Sequence, residues 1–313
     1  MSDDDPAAPL LELRNVTRRF GDRVAAAEVN LRLRPGTTLG IVGESGSGKT
    51  TCARLVLGLI RPTSGEVVFD GEPYPRSRRG LHSIRRQIGA VFQDPYDSLD
   101  PRMTLEALVA EPLRTHGVFK GHEKERVAEM LGVVGLGDAP LDSYPASYSG
   151  GGRQRIAIAR GLVHEPKVLV CDEPTASLDV SVQAQILNLF LDLKRDRGVS
   201  SIFVSHDLDL VRRISDDIVV MNGGRVVESG PAAAVASDPR HPYTASLLAA
   251  VPGDHPRRRK LTGRVNDLPL EETSVNTGCV FAARCPRAED VCRQSVPPIN
   301  TGETDVACLF PLR

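Results

Sequence analysis

The chain has no tryptophan, and only 4% of its 313 residues are aromatic. That scarcity argues against a binding surface built from stacked bases. Neither charge is in excess: 39 Lys and Arg stand against 40 Asp and Glu, a net charge of −1. No global basic field draws such a chain to nucleic acid. The sequence contains no apolar run long enough to cross a bilayer. Its start, MSDDDPAAP, lacks the basic residues and the apolar stretch of an export signal and reads as a frayed acidic tail over 1–9. These absences point to a cytoplasmic protein that needs a partner to hold it at a membrane. What is present, 41% apolar and 25% charged residues, is ordinary for a soluble globular chain with room for one large domain and an appendage.

Two segments carry phosphate chemistry. Residues 43–50 read GESGSGKT. An apolar run over 37–42 enters this loop and a helix is expected over 50–59, which is the strand–loop–helix setting of a phosphate loop. The glycines let successive backbone N–H groups turn toward phosphate oxygens, and the helix start adds its positive end. The candidate set is Gly43, Ser45, Gly46, Ser47, Gly48, Lys49, Thr50 and Thr51. Lys49 is suited to neutralising the outer phosphates, and Thr50 offers a hydroxyl to Mg²⁺. Downstream, Val168 to Cys171 is a continuous apolar run, as in a buried parallel strand, and it ends in Asp172 and Glu173. In that setting Asp172 would hold Mg²⁺ through water and Glu173 would polarise the attacking water.

A second glycine-rich stretch, SGGGRQR at 149–155, opens a helix just before that strand. Ser149, Gly150 and Gly151 can present a hydroxyl and backbone N–H groups from a helix start to a phosphate. Elsewhere, alternation predicts strands over 10–20 and 25–33, and Asn222-Gly223-Gly224 predicts a hairpin. Residues 104–134 are helix-rich, with breaks expected at Pro112 and Gly117.

The phosphate loop, SGGGRQR, CDEP, SLD and SHD occur in the order found in ATP-binding subunits of ABC transporters, and the chain resembles that family over nearly its whole length. The resemblance implies an α/β fold: a P-loop NTPase core of the ABC ATPase type, with an antiparallel β subdomain and a helical signature subdomain near 94–163. The ATPase domain is placed at 10–238. The resemblance implies ATP and Mg²⁺ as cofactors and a head-to-tail dimer in which each ATP meets one chain's Lys49 and the other chain's Ser149, Gly150, Gly151 and Gly152. It makes Phe20 the adenine-stacking ring, although a strand-end core Phe is the plainer reading. Gln93 resembles the glutamine that reaches Mg²⁺ and senses the membrane partner. Asp179 resembles the residue linking the two sites, and it also suits a helix N-cap. His206 resembles the histidine that contacts the outermost phosphate and joins Glu173 and Lys49 in catalysis. Gly152 stands where the family usually has Gln.

The character changes after about residue 238, and a small Cys-rich C-terminal extension is expected over 239–313. Its DPRHPYT segment and four-cysteine tail resemble those of oligopeptide and dipeptide importers. Cys279, Cys285, Cys292 and Cys308 are separated by five, six and fifteen residues. In some members of that family such cysteines bind an iron–sulfur cluster. Four thiolates suit either [4Fe–4S] or Zn²⁺, and the absence of paired CxxC favours the cluster, with no metal as the third alternative.

The resemblance implies an ATPase that energises peptide import from the cytoplasmic face of the membrane. Its partners would be a second ABC ATPase subunit, expected to be a paralogue, two integral-membrane permease subunits and, indirectly, an extracytoplasmic solute-binding protein, with no nucleic acid. Cargo alternatives are nickel chelates, glutathione or another small solute. A soluble ABC ATPase acting on DNA or ribosomes is the alternative of a different class. It usually carries two cassettes or a long coiled-coil insertion, and neither is seen in this sequence.

Overall fold

The computed structural model describes residues 8–249 and 277–312. Most of the expected tail at 1–9, and the basic PRRRK run at 256–260, lie outside the described residues. The chain divides into two compact units. One consists of residues 74–202 with 34–37 and contains the signature stretch. The other consists of 8–33, 38–73 and the described residues from 203 onward, and contains the phosphate loop.

In the phosphate-loop unit, strand Leu11–Phe20 buries Leu11, Leu13 and Val16 and leaves its far end in water. It pairs antiparallel with Arg23–Leu33 and with Ser64–Phe69, and the last of these pairs with Glu72–Pro73. Leu13 faces Leu31 on one neighbour and Val67 on the other, so the antiparallel sheet carries one apolar face. The second sheet of this unit contains Thr38–Val42, in which every residue is buried. That strand runs parallel to Asp217–Asn222, with Ile41 opposite Val219. Asp217–Asn222 then pairs antiparallel with Arg225–Pro231, which pairs with the short Asp305–Val306. The hairpin turn uses left-handed Gly223 (φ 51°) and Gly224 (φ 83°). That geometry matches the twist of the strands it joins.

The signature unit is mostly helical. Helices Arg78–Arg85, Leu105–His116, Glu123–Val133, Gly150–Leu162 and Val180–Arg197 accompany the parallel strands Ile88–Val91 and Val168–Asp172. Helix Gly150–Leu162 is its centre, burying Ile156, Ala157, Ile158 and Ala159. Buried Arg126 ties this region together: it donates to the Val163 carbonyl (2.9 Å) and pairs with Glu129 and Glu165.

The expected break at Pro112 does not occur. Pro112 lies inside helix Leu105–His116, which ends at left-handed Gly117. Proline removes one backbone donor, but Leu105, Leu108, Val109 and Leu113 bury the same helix, and that packing outweighs the lost bond.

Candidate functional site

Strand Thr38–Val42 delivers the chain into the phosphate loop, and helix Lys49–Val56 begins at Lys49 itself. Gly48 is the N-cap, with φ 103° and ψ −2°. A Cβ at Gly48 would lie 2.5 Å from the Ala25 carbonyl, and one at Gly43 would lie 2.2 Å from that of Met221. The loop is thus a cradle whose shape only glycine permits. Lys49 is buried, and its Nζ donates to the carbonyls of Gly43 (2.7 Å) and Glu44 (2.9 Å). The ammonium is thereby held under the loop rather than trailing into water. Ser47 is buried as well, and its hydroxyl oxygen has no hydrogen-bond partner. Ser45, Gly46 and Thr50 are exposed, and Thr51 is half-buried. A buried cation, an orphaned buried hydroxyl and a helix start on a Cβ-free cradle fit a polyanionic phosphate with its Mg²⁺.

In the same unit, Phe20 closes its strand with the ring exposed and the Arg18 guanidinium 4.4 Å from the ring centroid. It is not a core residue, and the guanidinium covers one face of the ring. His206 follows strand Ser200–Ser205 and is exposed.

In the signature unit, Asp172 ends its buried strand and Glu173 follows in a left-handed conformation (φ 47°). That conformation is costly for a residue with a Cβ, and such positions gather at functional sites. Gln93 is exposed, just past strand Ile88–Val91. Ser149 caps the signature helix, its hydroxyl accepting from Gly152 N–H (3.3 Å). Gly150, Gly151 and Gly152 form the first helical turn. Asp179 caps helix Val180–Arg197 by accepting from Val182 N–H (2.9 Å). Its carboxyl is held below the usual range, first by the Ser181 hydroxyl and then by that N–H.

The four tail cysteines do come together. Cys279, Cys285, Cys292 and Cys308 line one cavity of about 20 Å³ with His241 and Phe281. The iron–sulfur reading does not survive, however, and neither does zinc. Among the described residues, no group of three or more His, Cys, Asp or Glu side chains is arranged to hold a metal ion. The cavity has room for about one water. Burial pushes the Cys279 thiol up to about 11 and raises Cys285 and Cys308, as expected for thiols facing a small apolar cavity. The spacing marks a cysteine-lined pocket, not a metal centre.

Sequence reasoning missed the residues that surround the phosphate loop. Tyr243 Oη accepts the Glu44 N–H (2.8 Å), and Arg284 grips the Glu44 carboxylate with two nitrogens (2.6 and 2.7 Å). The position of Tyr243 in DPRHPYT was visible, but nothing local announced its target.

Two family models match the chain: ABC transporter over residues 26–176, and the C-terminal region of oligopeptide/dipeptide transporters over 227–292. A Brucella abortus protein provisionally named a peptide import ATP-binding protein is 44% identical over 91% of this chain and 86% of its own length. The chain belongs to the ABC transporter family. The glutathione import ATP-binding protein GsiA of Escherichia coli K12 is 46% identical over 80% of the chain and 42% of its own length. Among solved structures, cbiO1 of Clostridium perfringens, part of the ABC transporter complex cbiONQ, superposes with a TM-score of 0.67. It is 32% identical and covers 72% of this chain and 90% of its own. As an ABC ATPase, the chain hydrolyses ATP to power transport. Among the described residues, no helix is long and apolar enough to cross a membrane.

Proposed function

We propose that this ABC ATPase energises the import of oligopeptides or dipeptides through a membrane transporter. The observation that carries the reading is the phosphate loop, with Lys49 buried beneath a cradle that only glycine can form. The peptide-importer match over 227–292 supports the cargo class. Residues 10–238 would form the ATPase domain, with 94–163 as its helical part and 239–313 as the importer-type extension.

Lys49 would neutralise the outer phosphates while Gly46, Gly48 and Thr51 donate backbone N–H groups. Thr50, Asp172 and Gln93 would hold Mg²⁺, which supplies charge neutralisation along the phosphates. Glu173 would orient and polarise a water for attack on the terminal phosphorus, and the bond to the ADP oxygen breaks in line with that attack. His206 would contact the departing phosphate. The leading roles are positioning and electrostatics, since phosphoryl transfer asks little covalent chemistry of protein. The Ser149 helix start would close on the ATP of a second ATPase subunit, and Asp179 would couple the two sites.

Two permease subunits would hold the chain at the cytoplasmic face, served by an extracytoplasmic binding protein. Glutathione, itself a peptide-like solute, is the second cargo reading and rests on the 46% identity to the Escherichia coli glutathione subunit. Glu173→Gln tests the mechanism. ATP binding should persist and turnover should fall by about a thousandfold or more. Undiminished hydrolysis would remove Glu173 from the mechanism. Uptake of labelled dipeptide against glutathione by the assembled transporter separates the cargo readings.

A further inference from the structure

An acidic residue inside a loop that binds a triphosphate is an electrostatic liability. Glu44 is the second residue of the phosphate loop, and its carboxylate is two-thirds withdrawn from water. Unpaired, it would repel the phosphates the loop must hold. The tail answers this charge. Arg284 is mostly buried and meets both Glu44 oxygens in a fork-to-fork pair at 2.6 and 2.7 Å.

A second tail contact fixes the backbone. Tyr243 is fully buried, and its Oη accepts the Glu44 N–H at 2.8 Å. Tyr243 is itself placed by a polar network. The fully buried Glu228 carboxylate accepts the N–H groups of Arg240 (2.8 Å) and His241 (2.9 Å). His241 Nδ1 accepts the Tyr243 N–H (3.0 Å). Burial lowers His241 to about 4, so the imidazole is neutral and able to accept. The Phe281 ring packs 5.3 Å from the Tyr243 ring and also lines the cysteine pocket. One continuous set of contacts therefore runs from the cysteine-lined wall to the phosphate loop, entirely within one compact unit.

We propose that Arg284 and Tyr243 are positioning residues of the nucleotide site, and that Arg284 sets ATP affinity by cancelling the charge of Glu44. The extension is then a working part of the ATPase. This rests on the ATPase reading, and the test separates the two.

The test measures the dissociation constant of a fluorescent ATP analogue and the kcat/KM split on the full chain, at about 0.05 M and about 0.5 M salt. Arg284→Ala should weaken binding by about three- to tenfold at low salt, with a smaller deficit at high salt. On a Glu44→Gln background the same substitution should change binding by less than about twofold, because the charge it cancelled is gone. Arg284→Gln removes the charge while keeping most of the aliphatic stem and should behave like Arg284→Ala, so it decides the question if the alanine variant fails to fold. Tyr243→Phe retains the ring, removes the acceptor and should raise KM by about three- to tenfold. Equal affinity of Arg284→Gln and the unaltered chain overturns the proposal. So does a deficit that ignores salt and persists on the Glu44→Gln background, since that is the mark of structural damage. If the unaltered chain binds no ATP, the ATPase reading falls and takes this inference with it.

Discussion

The chain has two glycine-rich loops, and they use glycine for different reasons. In the phosphate loop, Gly46 and Gly48 have φ of 79° and 103°, a backbone that side-chain-bearing residues avoid. In the signature stretch, Gly150, Gly151 and Gly152 are ordinary helical residues. Their constraint is space. A Cβ at Gly151 would come 2.6 Å from Val182 Cγ1, whereas one at Gly152 would meet Tyr148 Cβ at 3.1 Å and one at Gly150 would meet Leu178 at 3.4 Å. The first loop is a backbone shape, and any change to it is a change of ligand geometry. The second is a helix start with one closed position, Gly151, one tight position, Gly152, and one tolerant one, Gly150.

Gly48→Ala is the sharpest way to break this contrast. It combines an unfavourable left-handed residue with the 2.5 Å overlap on the Ala25 carbonyl. The expected loss is about 2–4 kcal/mol of stability together with ATP binding, read by thermal unfolding and nucleotide titration. Retained affinity would mean that the loop does not need its shape.

Acid should separate the two regions next. His164 lies just beyond the signature helix, and burial lowers it to about 4. Its neighbour His116 is lowered too, first by burial and then by His82 and Arg86. Both imidazoles titrate at a higher pH in the unfolded chain, near 6.5. The unfolded state therefore binds more protons between about pH 6.5 and 4, and stability falls across that window as pH falls. His164 alone accounts for about 2 kcal/mol at pH 5. In the phosphate-loop unit, His241 acts in the same direction, but Glu228 opposes it. Burial raises the Glu228 carboxyl, so the folded state takes up its proton first and gains stability as pH falls. Urea unfolding at pH 7.5 and 5 should show the larger loss in a probe placed in the signature unit, and His164→Gln should flatten it.

The phosphate loop was legible in the sequence because its glycines, Lys49 and Thr50 lie within a dozen positions, from the entering strand to the helix start, although the distant residues that brace it, Tyr243 and Arg284, were not. Asp172 and Glu173 were legible for the same reason, although the left-handed backbone at Glu173 was not. Asp179 could be read as a helix cap, and it is one. Helix Leu105–His116 was misjudged at Pro112 because local propensity carries no knowledge of the packed face. The cysteines showed a spacing but not a geometry: they share a pocket without making a metal site. The Arg284–Glu44 pair spans 240 positions and has no local pattern to announce it. Contacts of that range are set by tertiary placement alone.

Gly152 is where the two loops invite the closest comparison and where the smallest effect is expected. Ser149 is the N-cap of the signature helix, and Gly152 is the third residue within it. A Gln there would complete a capping box, its side chain reaching back to the Ser149 N–H. It would also replace the poorest helix former other than proline, a gain of about 0.5 kcal/mol. Against this, the new Cβ sits tightly against Tyr148, whose hydroxyl is tied to Ser143 at 2.8 Å. Tyr148 must yield by a few tenths of an ångström. Gly152→Gln should therefore stabilise the chain by no more than about 1 kcal/mol, seen as a rise of roughly 1–4 °C in the unfolding midpoint. In the assembled transporter, the gain would appear in the site whose phosphate loop belongs to the other subunit. A rise in ATPase rate of about two- to fivefold would mark that site as weakened by the native glycine. An unchanged rate, with the midpoint raised, would show that the departure costs the helix some stability and the reaction nothing.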